Sequence, residues 1–157
     1  MPLKLQQVGY SLVGTPELVR RCLEAKKWHV KHTPGIGPHS CCAMLEVKVR
    51  GNTRYIFGNS QLQNPIEEGI YTNPHMRCHG EASALMTALE RAQLDLHVNE
   101  GDLAGLIPRV YIELSPCKAR CESLLSNVNP NLTVLYSFQH PDDVGQWEAQ
   151  ATALCSE

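Results

Sequence analysis

The sequence predicts an α/β fold in three layers, with a mixed central sheet flanked by helices. Strand-length stretches of alternating apolar and polar residues interleave with longer runs at helical spacing. Late in the chain the order is strand, helix, strand, helix, which requires parallel strands joined by crossover helices packed on the sheet. The 157 residues match the size of one domain and contain no linker or internal repeat, so 1–157 reads as a single domain.

Thr15-Pro16-Glu17 carries a helix start: a capping hydroxyl, a proline at the first helical position and an acid in the first turn. Leu18, Val19, Cys22, Leu23 and Trp28 follow at helical spacing and predict a helix over 16–28. Pro34, Gly35, Gly37 and Pro38 make 33–39 a loop. Leu45, Val47 and Val49 alternate with Glu46, Lys48 and Arg50. Gly51-Asn52 can turn the chain, and 54–57 resumes an extended pattern, which together predict a β-hairpin. A long polar loop over 61–78 enters a helix with Ala82, Leu85, Met86, Leu89 and Leu96 on one side, broken by Gly101 and Gly105. Val110–Leu114 reads as a strand running into Ser115-Pro116-Cys117, with a short helix through Leu124 and Leu125 after it. Leu132–Phe138 is the next strand, and Val144–Leu154 is a last helix opened by Pro141-Asp142-Asp143. No further strand is visible after Leu154.

Hydrophobic residues at 43% and charged ones at 19% exclude a disordered chain. No apolar run approaches the length of a membrane span, so no membrane partner is expected. The stretch 1–7 has no apolar core that reads as a signal peptide, which points to action in a cytosol. A domain delivered as part of a longer protein would read the same way. Seven cysteines, with Cys41 and Cys42 adjacent, suit no simple disulfide framework and point instead to reduced thiols or metal. The net charge of −2 is unevenly divided: residues 1–60 carry nine Lys/Arg against three Asp/Glu, and 61–157 carry five against thirteen. Arg20, Arg21, Lys26, Lys27 and Lys31, then Lys48, Arg50 and Arg54, form the basic part. Such a cluster suits a phosphate-facing surface, and equally a solvated helix face.

The chemistry gathers at two junctions. His79-Gly80-Glu81 stands where the polar loop enters a helix, and Pro116-Cys117 with Cys121 where a strand enters one. In a parallel sheet both junctions fall at the carboxyl ends of strands, where α/β active sites are built. One imidazole and two thiolates give zinc three protein ligands and leave the fourth position for water, whose pKa the metal lowers to about 7. Helix N-termini favour the thiolate form. Glu81, two residues beyond His79, does not share that ligand's direction, and a carboxylate there can carry a proton from the water to a ring nitrogen and a leaving amine.

His79-x-Glu81 followed by Pro116-Cys117 and Cys121 resembles the signature of the zinc-dependent nucleobase deaminases. The expected element order from about residue 43 onward is similar to the cytidine deaminase-like fold. The resemblance implies a hydrolase with His79, Cys117 and Cys121 on one zinc and Glu81 as the catalytic acid–base. Three residues separate the cysteines where two are commonest; positions i and i+4 on a helix remain neighbours. A structural zinc, with Cys78 as a fourth ligand, is the alternative use of the same cluster.

Within that family, a helix after the fourth strand resembles the enzymes that act on polynucleotides, of the APOBEC type and among bacterial toxin deaminases. Ser115-Pro116-Cys117 and the run from Tyr136 through Phe138 to His140 look like the same arrangement. The resemblance therefore implies cytosine-to-uracil conversion in single-stranded DNA or RNA, with DNA favoured; a toxin domain would also have an inhibitory immunity protein as partner. Tyr136, Phe138 and His140 are candidates to stack on a base, a contact of roughly 1–3 kcal/mol, although strand alternation also accounts for Tyr136 and Phe138 as core residues. Asn59 resembles the asparagine that holds the sugar, with Asn64 and Asn73 as alternatives and a plain turn role as the other reading. Free cytidine or its nucleotides are a second substrate expectation, and a non-catalytic zinc-stabilised binding module a third.

Overall fold

A computed structural model describes residues 4–61, 80–98, 102–103, 105–115, 131–139 and 142–156. In chain order the described elements are β1 (Lys4–Gln7), α1 (Glu17–His32), β2 (Cys42–Val49), β3 (Asn52–Asn59), α2 (Gly80–Leu96), β4 (Arg109–Leu114), β5 (Thr133–Phe138) and α3 (Val144–Cys155). The strands form one mixed sheet in the order β1-β5-β4-β2-β3. β1, β5 and β4 run parallel, while β2 is antiparallel to both β4 and β3.

Alternation along the central strands sends side chains to two cores. Ala43, Leu45, Val110 and Ile112 pack with Ala84, Ala88, Leu89 and Ala92 of α2 on one face. Cys42, Met44 and Tyr111 pack with Leu18, Val19, Cys22 and Leu23 of α1 on the other. α3 lies against α1, and its Leu154 joins that second core. The predicted α/β architecture is therefore the one observed: helices on both faces of a mixed sheet. No described helix is long and apolar enough to cross a membrane.

Several boundaries differ from the sequence reading for identifiable reasons. α1 continues to His32 rather than stopping at 28, with Lys31 in its last turn, where a cation complements the helix dipole. Pro16 is its N-cap, and the Thr15 hydroxyl donates to Ser11 O rather than capping the helix. The hairpin turn is Arg50-Gly51, not Gly51-Asn52: Val49 pairs with Asn52, and the two loop residues have φ of 51° and 81°. A two-residue hairpin with both angles positive matches the twist of its strands, which explains glycine at the second position. α2 ends at Leu96, ahead of both glycines. His97 adopts φ 55° and Val98 N–H returns to Gln93 O, a six-to-one closure that terminates the helix without glycine.

The fifth strand comes from the start of the chain. β1 adds parallel to β5 at the sheet edge, and Val8 N–H extends the ladder to Tyr136 O at 2.8 Å. Lys4-Leu5-Gln6-Gln7 is exposed at all four positions, so it shows no alternation from which a strand could be read.

Candidate functional site

One edge of the sheet collects the carboxyl ends of four strands, β1, β3, β4 and β5. Leu114 of β4 pairs with Phe138 of β5, and Cys42, which opens β2, pairs with Asn59, which closes β3. The Cys42 N–H reaches Glu113 Oε1 at 2.7 Å, so β2 begins beside the end of β4. Ser115 N–H donates to Phe138 O at 2.8 Å and ties the ends of β4 and β5 together.

α2 starts at this same edge. Its Thr87 hydroxyl donates to Asn59 O at 3.3 Å, and the helix crosses so close that a Cβ on Gly58 would lie 2.2 Å from Ala84 O and 2.5 Å from Ala88 N. Alanines at 84, 88 and 92 supply the flat surface that this approach needs. Farther on, Leu106 O accepts from Lys48 N–H at the opposite end of β2, so α2 runs from the carboxyl edge of β3 and β4 toward the other edge. Its first turn, containing Glu81, and the end of β4, two residues before Pro116, thus stand on one edge of the sheet.

The sequence-predicted residues divide as follows. Glu81 belongs to α2, with its side chain outside the described residues; His79, Cys117, Cys121 and His140 lie outside them entirely, as do Cys78, Asn64, Asn73 and the expected helix through Leu125. Ser115 is half-buried directly after β4. Asn59 is fully buried; its amide donates to Ser40 Oγ at 2.9 Å and Cys42 Sγ at 3.0 Å, and its carbonyl oxygen accepts from Gln61 N–H at 2.8 Å. Phe138 is buried, its ring centroid 5.1 Å from that of Tyr10, while Tyr136 is half-buried.

Among the described residues no three His, Cys, Asp or Glu side chains gather to hold a metal ion. Four of the seven cysteines are described, none of them in a disulfide: Cys22, Cys41 and Cys42 are buried and Cys155 half-buried. Burial, then the charge of Glu113 beside it, pushes the Cys42 thiol up, and burial likewise raises Cys22, so neither is a thiolate near neutral pH. An imidazole and two thiolates remain a donor set that suits zinc, and His79, Cys117 and Cys121 are the residues that would hold it.

A charged cluster inside the α1 face went unread in the sequence. Glu113 and Lys26 are both fully buried, with Lys26 Nζ 2.9 Å from each carboxylate oxygen. Glu113 also accepts from Cys42 N–H, from Trp147 Nε1 at 3.1 Å and from the Tyr10 hydroxyl, while Lys26 donates to Ser40 O at 3.0 Å. Burial opposes the ammonium, but Glu113 outweighs it and holds Lys26 above its usual range. Burial, and then Glu113, push the Tyr10 phenol far upward, so it stays a donor. The network joins the loop before α1, α1 itself, β2, β4 and α3 at the edge just described. Lys26 therefore leaves the predicted basic surface, and Trp28 leaves the predicted apolar stripe, its side chain standing 56% exposed.

Set against protein-family models, curated proteins and solved structures, the chain matches none.

Proposed function

We propose that the chain is a zinc-dependent hydrolase that converts cytosine to uracil in a single-stranded polynucleotide, DNA in preference. The observation that carries this reading is the shared sheet edge. The helix that contains Glu81 packs against the carboxyl end of β3, and β4, whose carboxyl end lies on the same side of the sheet, finishes two residues before Pro116-Cys117, which supports a common site for the two halves of the motif. The motif itself, an imidazole with two thiolates and a carboxylate beside them, supplies the chemistry.

Zinc on His79, Cys117 and Cys121 would supply a water acidic enough to react at neutral pH. Glu81 would accept that water's proton as its oxygen bonds to C4 of cytosine, and deliver it to N3. A second proton passed through the same carboxylate to the amino nitrogen lets the C4–N bond break, leaving uracil and ammonia. A duplex hides C4, so the reaction needs a single-stranded or extruded base.

The test is uracil formation in an oligodeoxynucleotide, run beside free cytidine and deoxycytidine, with zinc content measured on the same protein. Wild type is expected to hold one zinc per chain and to release ammonia from the oligonucleotide. Glu81→Ala should keep the zinc and lose turnover. Ammonia from monomers alone would move the substrate to free nucleosides, and an unchanged rate in Glu81→Ala would end the mechanism.

A further inference from the structure

Three of the chain's nine Trp, Tyr and Phe residues meet on one outer face, where α1 lies along the edge strand β3. Trp28 stacks on His32 with centroids 4.6 Å apart and planes within 21°, and meets His29 edge-on at 5.0 Å. His29 in turn stacks on Phe57 at 4.7 Å and 5°. Tyr55, two residues before Phe57 on the same side of the strand, lies under the Arg21 guanidinium at 4.5 Å. The rings form a ribbon from helix to strand, and its outer end, Trp28, is more than half exposed. A tryptophan left so open, at the end of a ring stack, is the kind of apolar surface that marks a contact with something else.

A groove of about 250 Å³ runs beside the ribbon, lined by His29, Tyr55, Ile56, Phe57, Arg91 and Asp95. Arg91 is exposed, lines the groove and acts electrostatically on His29, whereas Arg54, exposed on β3, alternates to the opposite side of the strand from Tyr55 and Phe57. Neither makes an ion pair among the described residues, whereas Arg20 and Arg21 are tied to Glu17 and Glu24. β3 leads from Tyr55 past Phe57 to Asn59, at the edge where α2 begins.

We infer that this α1–β3 face is a stacking platform for single-stranded nucleic acid, with Trp28 and the groove beside Phe57 taking bases and Arg91 taking phosphate. The exposed ring of Trp28, the half-buried rings beside it and the Arg91 guanidinium match the two recurring parts of a single strand, an unpaired base and a phosphate. A duplex keeps its base faces covered and can use only the cation. An extended peptide added to β3 would draw on strand backbone and leave Trp28, which lies on α1, without a role. The platform is separate from the zinc site and needs no turnover, so it stands or falls independently of the deaminase reading.

Binding is measured by fluorescence anisotropy with a short fluorescein-labelled oligodeoxythymidylate, with an oligouridylate and a DNA duplex of equal length as parallel arms. Wild type should prefer single strands to duplex, quench Trp28 emission on binding, and bind equally well with Glu81→Ala. Trp28→Ala, at an exposed position that leaves the core intact, should weaken single-strand binding on the order of 5- to 100-fold. Arg91→Ala should lower the salt slope of the binding constant by about 0.7. Tighter binding to the oligouridylate would make the strand RNA and keep the platform. No binding, equal affinity for duplex, or an unchanged affinity in Trp28→Ala would overturn the inference. Lost uracil formation with binding intact would overturn the deaminase reading alone.

Discussion

Lys26 and Glu113 are charged side chains with no exposed surface, and each is held by more than the other. Removing one partner of such a pair strands the other's charge in a low dielectric, typically at a cost of 3–5 kcal/mol, whereas removing both charges costs less. Lys26→Met should therefore lower the unfolding free energy by about 3 kcal/mol, the low end because Cys42, Trp147 and Tyr10 still donate to Glu113. Adding Glu113→Gln should restore part of that loss; urea unfolding of the two single variants and the double gives the coupling directly. The pair was legible in part. Lys26 continues the spacing of Val19, Cys22 and Leu23 on the inner side of α1, two positions before the outward Trp28, and Glu113 interrupts the buried run from Val110 to Leu114 in a central strand. What the sequence could not supply is that the two charges face each other across 87 residues of chain.

His29 makes a second residue-scale prediction. Burial against Phe57 and, less, the positive charge of Arg91 hold its imidazole below the usual range; Asp95 and Tyr55 share the groove, and its Nδ1 lies 2.8 Å from Thr33 Oγ1. The folded protein therefore takes up that proton later than the unfolded chain does as pH falls. Above about pH 6.5 both states are neutral and the residue contributes nothing pH-dependent. Below that value the unfolded chain protonates first, so stability falls until the folded imidazole protonates too. Urea unfolding followed from about pH 8 to about pH 5 should show a steeper loss in wild type than in His29→Gln; parallel curves would mean that the stack leaves the imidazole unperturbed.

At the scale of elements, the approach of α2 to β3 sets how the helix that contains Glu81 sits on the sheet. Gly58 is required by proximity alone, because a methyl group there meets helix backbone at 84 and 88 rather than a side chain that could turn away. Gly58→Ala must push α2 outward or distort β3, at about 1–3 kcal/mol or more. It should also lower uracil formation more than a purely global destabilisation would, since the displaced helix contains Glu81. Measuring rate and unfolding midpoint together, at a temperature where the variant remains folded, separates the two effects. The alternation of β2, β4 and β5 and the helical spacing of α1 and α3 made these elements readable, because each buries one face or both. β1 was not readable. Its four residues are exposed, and it is a strand only because β5 offers an unpaired edge. The expected motif residues His79, Cys117 and Cys121 lie outside the described residues, and the aromatic ribbon was not readable, since it joins α1 to a strand in a different part of the chain.

For the whole molecule, the proposed metal would couple elements that the described fold brings to one edge from distant parts of the chain. His79 precedes α2, and Cys117 and Cys121 follow β4, so a zinc held by all three would close the span from the start of that helix past the end of that strand. Ligands that converge only in the folded chain make binding free energy into folding free energy. Stabilisation grows as RT ln(1 + [L]/Kd), about 2.7 kcal/mol when free metal stands at a hundred times Kd. Stripping the metal with a chelator should therefore lower Tm, and restoring zinc should raise it again with the added concentration. His79→Ala and Cys117→Ala should blunt that response, because each removes a donor. Glu81→Ala should keep it in full, because its carboxylate is assigned to the proton and not to the metal. Paired scans with and without zinc on these three variants thus separate ligand from acid–base residue with no substrate present. A zinc response surviving in His79→Ala, or vanishing in Glu81→Ala, would reassign the roles on that edge.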